Sequence, residues 1–267
     1  MNGKKIIPNP LIAQMRKRLL IIGASDSSGG AGIKADIDTL SAFGFEGSIA
    51  ITSVTAQTNH QLICKYPVPN QVLLDQLKAS EGTLIDGIKI GLLPDRESIN
   101  IVRDFLEKTP NTPSILDPVF SSSSKGELIN ENTQTYLLEQ LLPFITLLTP
   151  NAIEASILTN KECKSLEEAK DSAQSLIERG AKAVLVKGGH LTGTLSSNVL
   201  AQTSMPHQCF EKPRIRYGSK CRGTGCRLAT AICCLLACQE RLSSACRKAG
   251  DFVHEYIKSE LSKNLGA

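Results

Sequence analysis

The sequence predicts an α/β protein whose central sheet is mostly parallel and covered by helices on both faces. Two observations lead to this fold class. Short runs of aliphatic and β-branched residues recur along the chain, and longer amphipathic stretches separate them. Polar and glycine-rich clusters follow several of these runs, as is typical where a strand turns into a helix. The predicted strands are 18–24, 48–56, 87–92, 114–118, 145–149 and 182–187.

The amphipathic stretches between these runs predict helices. They cover 31–43, 70–81, 96–108, 130–142, 166–179, 223–239 and 242–262. The segment 192–212 combines strand-like runs with turn residues, and we expect a hairpin there at the sheet edge. Residues 1–17, interrupted by Pro8 and Pro10, are expected to form a flexible N-terminal extension. No linker or repeat divides the rest, so 18–267 is expected to fold as a single domain.

Composition and charge exclude several classes of function. Of the 267 residues, 41% are hydrophobic and 21% charged, as in ordinary globular proteins. The net charge is +4 and the basic residues are scattered, so no nucleic-acid partner is expected. No run approaches the roughly 18 apolar residues of a membrane span, so no membrane partner is expected either. The nine cysteines lack CxxC spacing, which predicts free and mostly buried thiols in a cytoplasmic protein.

The first polar cluster is GASDSSGGAG at 23–32, between the first strand and the first helix. Its glycines let the backbone approach a ligand closely, and Asp26 and the serines can cap the helix or bind polar groups. The spacing matches neither the dinucleotide-binding GxGxxG pattern nor the P-loop. A tight strand-to-helix turn explains the cluster equally well. Ligands of open α/β sheets do collect at the carboxyl ends of strands, where this cluster lies.

The second cluster is Gly223-Thr224-Gly225-Cys226, at the start of an apolar helix. Successive backbone N–H groups at a helix N-terminus attract anions, which predicts an anion hole. A thiol held there is expected to have a lowered pKa and to accept a proton from a substrate hydroxyl. The alternative is a helix cap followed by one more buried cysteine.

The third cluster combines acids and a cation at three strand ends. Asp117 follows one strand, Asn151 and Glu154 follow the next, and Lys187 with Gly189 ends another. A carboxylate at each of two neighbouring strand ends suits a hydrated Mg²⁺ that bridges phosphates. The alternatives are a turn residue at Asp117, a first-turn helix charge at Glu154 and a solvated turn at Lys187.

Together and in this order, the segments resemble the hydroxymethylpyrimidine and phosphomethylpyrimidine kinases of thiamine biosynthesis, within the ribokinase-like superfamily. The resemblance runs from about Arg18 to Ile257. It rests on motifs that are specific only in combination: GASDSSGGAGIKAD, TSVTAQT (52–58), IKIGLL (88–93), LDPV (116–119), LTPNAIEA (148–155), VLVKGGH (184–190) and GTGC (223–226). It implies a three-layer ribokinase-like fold, ATP and Mg²⁺ as cofactors, a homodimer, and phosphorylation of the pyrimidine and of its monophosphate.

The resemblance also implies a role for each matching position. Cys226 matches the catalytic base, and the amides of Gly223, Thr224 and Gly225 the anion hole. Gln57 matches the glutamine whose amide pairs with the pyrimidine ring, in a pocket lined by Ala24, Asp26, Thr55 and Leu92. Asp117 and Glu154 match acids associated with Mg²⁺. Asn151, Lys187 and Gly189 lie toward the nucleotide.

Several positions depart from the family pattern. Arg222 stands where the family usually has histidine, and Arg227 where it has a small threonine, so extra cations are expected beside the phosphate site. The loop 120–125 and the order Gly23-Ala24 differ as well. Two alternatives therefore stay open. One is a pyridoxal or pyridoxine kinase of the same fold, and the other is a non-catalytic protein that binds the pyrimidine.

Overall fold

The structure is a computed structural model that describes residues 16–58, 60–121 and 128–265. Residues 1–15 of the predicted extension lie outside the described residues, as do 122–127 of the serine-rich loop. Lys17, at the end of the predicted extension, donates from its ammonium to the carbonyl of Ala237 at 2.7 Å. This residue is therefore tied to the folded part of the chain.

One sheet contains nine strands of the described residues. They are β1 (Arg18–Asp26), β2 (Glu46–Gln57), β3 (Leu62–Pro67), β4 (Gly87–Ile90), β5 (Ser114–Leu116), β6 (Leu147–Leu148), β7 (Ala183–Val186), β8 (Leu195–Gln202) and β9 (Met205–Pro213). Their order is β3-β2-β1-β4-β5-β6-β7-β8-β9. From β2 to β7 neighbouring strands pair in parallel, and the antiparallel pairs with β3, β8 and β9 lie at the edges.

Helices cover both faces of this sheet. They are α1 (Gly32–Phe43), α2 (Asn70–Ser80), α3 (Arg96–Glu107), α4 (Glu131–Leu141), α5 (Ala152–Thr159), α6 (Leu166–Glu178), α7 (Thr224–Ala237) and α8 (Leu242–Leu265). One apolar cluster joins the sheet to α2–α6, and a second joins its other face to α1, α7 and α8. The predicted three-layer α/β architecture is confirmed.

Strand β1 shows why the strands are continuous aliphatic runs. Leu20 and Ile22 belong to the cluster beneath α2–α6, whereas Leu19 and Ile21 belong to the cluster beneath α1, α7 and α8. All four side chains are fully buried. A strand that is covered on both faces is apolar at most positions, because successive side chains point to opposite faces.

The predicted strands and helices are all present within a few residues, and the hairpin at 192–212 is confirmed as β8 and β9. One of these strands and one of these α-helices were not predicted. Strand β3 pairs antiparallel with β2 at the edge of the sheet, and α5 is a short helix that begins two residues after Pro150. Local capping sets several helix ends: the Asp95 carboxylate accepts from Ser98 N–H at 2.8 Å to begin α3, and Gly44, with φ of +72°, ends α1.

Parallel strands bring their carboxyl ends to one edge of the sheet. Asp26 and Gln57 end β1 and β2, Asp117 follows β5 and Lys187 follows β7. The polar clusters singled out from the sequence therefore share one edge. Among residues 16–58, 60–121 and 128–265, none of the helices has the length and apolar character needed to cross a bilayer.

A buried ion pair joins the sheet to two helices. Lys89 of β4 lies 3.0 Å from the carboxylate of Asp36 on α1, and both side chains are only 1% exposed. Thr230 of α7 donates to the same carboxylate at 2.7 Å. Burial alone would lower the pKa of Lys89, but the neighbouring carboxylates, Asp36 above all, keep it raised. The lysine is therefore charged and fixes α1 and α7 relative to β4.

We expect Lys89→Met to lower the free energy of unfolding by about 3–5 kcal/mol, because it leaves the Asp36 carboxylate buried without its cation. Urea unfolding followed by circular dichroism measures this loss. Lys34→Met is the matched control, since the Lys34–Asp38 pair is exposed and its loss should cost less than about 1 kcal/mol. Equal losses of unfolding free energy in the two variants would show that the buried pair contributes no more to stability than the exposed pair.

Candidate active site

Two glycine-rich segments lie in direct contact. Gly223 has a φ of +69°, and a Cβ there would lie 2.4 Å from the carbonyl oxygen of Gly30. Gly32 has a φ of +58°, and a Cβ there would lie 2.4 Å from the carbonyl oxygen of Ala24. Positive φ and close approach together require glycine at both positions. The contact brings the N-terminus of α1 beside the N-terminus of α7.

Cys226 lies where these helix ends meet. It belongs to the first turn of α7 and is half-buried. Its Sγ also lies against the backbone N–H of Gly32, the first residue of α1. A backbone N–H of α1 and the ammonium of Lys89 therefore both act on a thiol that belongs to the first turn of α7.

The predicted lowering of the Cys226 pKa is wrong. Burial raises this pKa to about 11, and the carboxylates of Asp36 and Asp117 act in the same direction. The ammonium of Lys89 and the N–H of Gly32 oppose the shift, but the desolvation of the thiolate outweighs them. The thiol is therefore protonated at neutral pH.

Asp117, Glu154 and Lys187 form a buried cluster of charges. The Lys187 ammonium donates to Asp117 Oδ1 at 2.6 Å and lies 3.8 Å from Glu154 Oε2. Burial raises the pKa of Glu154 to about 7, with the charge of Asp117 adding to the shift and Lys187 opposing it. Burial would lower the pKa of Lys187, but the two carboxylates keep it raised.

The charge cluster lies against Gly225, in the first turn of α7. A Cβ at Gly225 would lie 3.2 Å from Lys187 Nζ and 3.8 Å from Asp117 Oδ2. The backbone N–H groups that begin with Thr224 thus share one corner with a charged ammonium. Such a corner suits the terminal phosphates of a nucleotide, because helix dipole and cation both favour negative charge.

Asn151 and Gly189 already have structural contacts. The Asn151 side chain caps α5 by accepting from the N–H groups of Ile153 at 2.9 Å and Glu154 at 3.0 Å. Gly189 lies exposed in a short 3-10 turn, and its carbonyl accepts from Arg214 at 2.7 Å. Both residues lie at the edge that carries Lys187, and their contact with a nucleotide stays a prediction.

The residues predicted to hold the acceptor surround the ends of β1 and β2. The half-buried Gln57 donates from Nε2 to Thr55 Oγ1 at 3.1 Å, and Thr55 donates to the carbonyl of Ser25 at 2.9 Å. Asp26 is buried and accepts from Ala31 N–H at 2.9 Å. These side chains share one corner of the sheet edge.

Ala24 and Leu92 are the apolar members of the predicted pocket. Ala24 is half-buried beside the core. Leu92 is only 4% exposed and packs within the cluster beneath α2–α6, and its carbonyl accepts from Thr52 at 2.6 Å. The structure thus places Leu92 mainly in the core, and its contact with a bound ring stays a prediction.

The structure separates Arg227 from the phosphate site, so that prediction is wrong. Its guanidinium donates to the carbonyl of Ala35 at 2.9 Å and to Asp38 at 3.2 Å, and it stacks over the ring of Tyr256 at 4.3 Å. It lines a cavity of about 650 Å³ between α1 and α8. The helical geometry of α7 turns this side chain toward α1 and α8 rather than toward the helix N-terminus.

Arg222 lies at the ends of β1 and β2, among the side chains of Asp26, Thr55 and Gln57 that are predicted to hold the acceptor (the acceptor corner). It pairs with Asp26 at 3.1 Å and donates to Gln57 Oε1 at 2.9 Å. Arg222 was expected to add a positive charge beside the phosphate site. Its guanidinium lies instead against two residues of the predicted ring pocket, Asp26 and Gln57.

The sequence motifs predicted no role for Lys89 and Asp36, although they lie close to Cys226. A signal was available, because a lysine between isoleucines in a strand covered on both faces needs a buried partner. The partner itself, on α1, could not be identified without the fold.

Asp117 and Glu154 are the two buried carboxylates that could hold a divalent metal ion, although Asp117 Oδ1 accepts from Lys187 and Glu154 Oε2 from the N–H of Asn151. The described ranges contain no cluster of three or more His, Cys, Asp or Glu side chains arranged to hold a metal. Mg²⁺ commonly binds through one or two carboxylates and the phosphates of a substrate. Asp117 and Glu154 provide such a pair beside the anion-binding corner.

Comparisons with known proteins point to one family. The sequence profile described as phosphomethylpyrimidine kinase matches residues 26–267. A hydroxymethylpyrimidine/phosphomethylpyrimidine kinase of Aquifex aeolicus is 39% identical over 248 residues, which cover 92% of this chain and 96% of that protein.

Two solved structures have the same fold. A phosphomethylpyrimidine kinase of Clostridium difficile is 29% identical with a TM-score of 0.78, covering 91% of this chain and 100% of its own. A pyridoxal kinase of Staphylococcus aureus, solved in complex with pyridoxal, is 28% identical with a TM-score of 0.82, covering 91% of this chain and 88% of its own.

The fold comparison alone does not separate the two kinase groups, because both structures superpose well. The sequence comparison does, since the profile covers nearly the whole chain and the relative's identity exceeds that of either structure. The ribokinase-like fold implied by the motifs is confirmed, and kinase activity implies ATP as phosphoryl donor. The chain belongs to the phosphomethylpyrimidine kinase family.

Proposed function

We propose that this chain transfers the γ-phosphoryl group of ATP to the hydroxymethyl oxygen of 4-amino-5-hydroxymethyl-2-methylpyrimidine, and then to the monophosphate, in thiamine biosynthesis. The observation that carries the proposal is the convergence of two helix N-termini on Cys226 in a chain of this family. Arg222, just before α7, binds Gln57, and Gly225 in the first turn of α7 lies against Lys187.

In the proposed reaction the hydroxymethyl oxygen attacks the γ-phosphorus, the bond to the β–γ bridging oxygen breaks, and ADP leaves. The hydroxyl proton passes to the sulfur of Cys226 in the small fraction of molecules that carry the thiolate, since its raised pKa keeps most of the thiol protonated at neutral pH. The N–H groups of Gly223, Thr224, Gly225 and Cys226 stabilise the charge on the equatorial oxygens. Phosphoryl transfer needs little covalent help, so positioning of both substrates contributes most.

The acceptor and the nucleotide are held by the residues at the two corners. Gln57 pairs with the pyrimidine ring between Ala24, Asp26, Thr55 and Leu92. On the other side Lys187, Asn151 and Gly189 bind the nucleotide. Asp117 and Glu154 would hold a Mg²⁺ ion, which when bound neutralises charge on the phosphate oxygens.

The proposal extends to the organisation of the protein. Residues 18–267 act as one kinase domain, a homodimer forms, and the protein works in the cytoplasm without a nucleic-acid or membrane partner. The free thiols of all nine cysteines support a reducing compartment. Only four of the nine are buried, fewer than predicted, because the others lie on strands, loops and helix ends near the surface.

The two alternatives carry less support. A pyridoxal kinase shares the fold, but the sequence profile and the Aquifex relative carry the pyrimidine name. A non-catalytic binder was suggested by Arg222, by Arg227 and by the serine-rich loop 120–125. The Arg227 guanidinium binds α1 instead of the predicted phosphate site, which removes one of the three reasons for that alternative.

We expect the purified protein to consume ATP with hydroxymethylpyrimidine as acceptor and Cys226→Ala to lower kcat/KM by about 100- to 10,000-fold, because a general base is lost. A coupled ADP assay measures both. Cys238→Ala, at the exposed end of α7, is the matched control and should leave the rate unchanged. A higher kcat/KM for pyridoxal would refute the substrate, and tight pyrimidine binding without turnover would favour the non-catalytic alternative.

The pH dependence of Cys226 follows from its raised pKa of about 11. Only the thiolate reacts with iodoacetamide, so alkylation should rise about tenfold per pH unit up to pH 10 without levelling off. Mass spectrometry of the peptide that carries Cys226 follows the rate, and Cys226→Ala confirms the peptide. A plateau below pH 8 would mean that the helix N-termini outweigh desolvation after all.

Metal binding should also depend on pH. The pKa of Glu154 is raised to about 7, so its carboxylate becomes ionised as pH rises through neutrality, and the Mg²⁺ concentration for half-maximal rate should fall between pH 6 and 8. Glu154→Gln should remove this trend. Glu162→Gln, at an exposed surface pair, is the control and should keep it. A trend that survives in Glu154→Gln would place the titrating ligand elsewhere.

A further inference from the structure

Arg222 connects three segments of the chain at the acceptor corner. Its Nη2 lies 3.1 Å from Asp26 Oδ2 and donates to Gln57 Oε1 at 2.9 Å. Its Nη1 donates to Ser28 Oγ and to the Thr58 carbonyl at 3.3 Å. The segment before α7 is thereby tied to the loop after β1 and to the end of β2.

The side chain is held in place by packing as well as by these bonds. Arg222 is only 11% exposed and its partner Asp26 is 3% exposed. A Cβ at Gly30 would lie 3.1 Å from Arg222 Nη1 and 3.3 Å from Arg222 Cβ, so the glycine leaves room for the arginine. The charge of the guanidinium is balanced by Asp26, which favours a positioning role over the capture of a phosphate.

The bond to Gln57 fixes the orientation of its amide. A guanidinium has five donors and no acceptor, so only the carbonyl oxygen of the amide can face it. The amide nitrogen then faces Thr55, to which it donates at 3.1 Å. A flip of the amide would turn its NH₂ group toward Arg222 and break a charge-assisted hydrogen bond.

We propose that Arg222 is a positioning residue that sets acceptor specificity by holding the Gln57 amide in this single orientation. The inference rests on the proposed function, because it takes Gln57 as the group that pairs with the ring. A ring whose donors and acceptors match the fixed amide is bound, and a ring that needs the flipped amide is rejected. The ligand class is a planar aminopyrimidine alcohol or its phosphate.

The test is a double-mutant cycle on ligand binding. Calorimetry measures the Kd of hydroxymethylpyrimidine for wild type, Arg222→Met, Gln57→Ala and the double variant. Methionine keeps an unbranched side chain packed against Gly30 and removes all the hydrogen-bond donors of the guanidinium. We expect Arg222→Met to raise the Kd about tenfold in the wild-type background and less than about twofold in the Gln57→Ala background.

Three further measurements separate positioning from general loss of structure. The KM for ATP should change less than about twofold, since the arginine acts at the acceptor corner. Arg222→Lys should recover only part of the affinity, because an ammonium lacks the planar fork that reaches Asp26 and Gln57 together. Arg216→Met, an exposed loss of the same charge, should behave as wild type.

The outcomes distinguish this inference from the proposed function. Equal effects of Arg222→Met with and without Gln57 would overturn it, as would tighter binding in Arg222→Met, which would mean that the arginine obstructs the pocket. Absence of binding in wild type would overturn it too. Coupled binding without phosphoryl transfer would uphold the role of Arg222 and reject catalysis.

Discussion

The ion pair between Lys89 and Asp36 sets the arrangement on which the site depends. It joins the central strand β4 to α1, and Thr230 adds α7 to the same carboxylate. A buried carboxylate without a cation is costly, so neither helix can shift far from the sheet while the pair exists. The N-termini of α1 and α7 are therefore held beside each other, and Cys226 lies where they meet.

The same arrangement explains why the thiol has a high pKa. Helix N-termini and a lysine favour the thiolate, but the enclosure that brings them close also removes water from the sulfur. Asp36 and Asp117, which balance the two lysines of the region, add negative charge nearby. The thiolate of Cys226 is thus a strong base. The same high pKa means that only a small fraction of the thiol is ionised at neutral pH.

The sequence predicts those parts of the fold that local patterns determine. Strands covered on both faces are apolar at most positions, which is why β1 could be placed and its neighbours located within a few residues. Strand β3 (LICKYP) has a cysteine, a lysine and a terminal proline, and its existence depends on pairing with β2. Helix α5, eight residues long, is too short for a helical period to show. The candidate site residues could be grouped from the sequence because strand ends share one edge. Contacts such as Lys89–Asp36 depend instead on side-chain directions across the core.

Two arginines illustrate the limit of motif comparison. Arg222 and Arg227 both depart from the family pattern beside the same GTGC motif, and by sequence alone they carry the same expectation. Arg227 lies within α7, and helical geometry turns it onto α1 and Tyr256, where it serves packing between helices. Arg222 lies before the helix begins, so its direction is set by the loop, and it reaches Asp26 and Gln57. Equivalent changes in charge thus have different consequences, because one side chain stabilises a helix contact and the other joins the loop before α7 to Asp26 and Gln57.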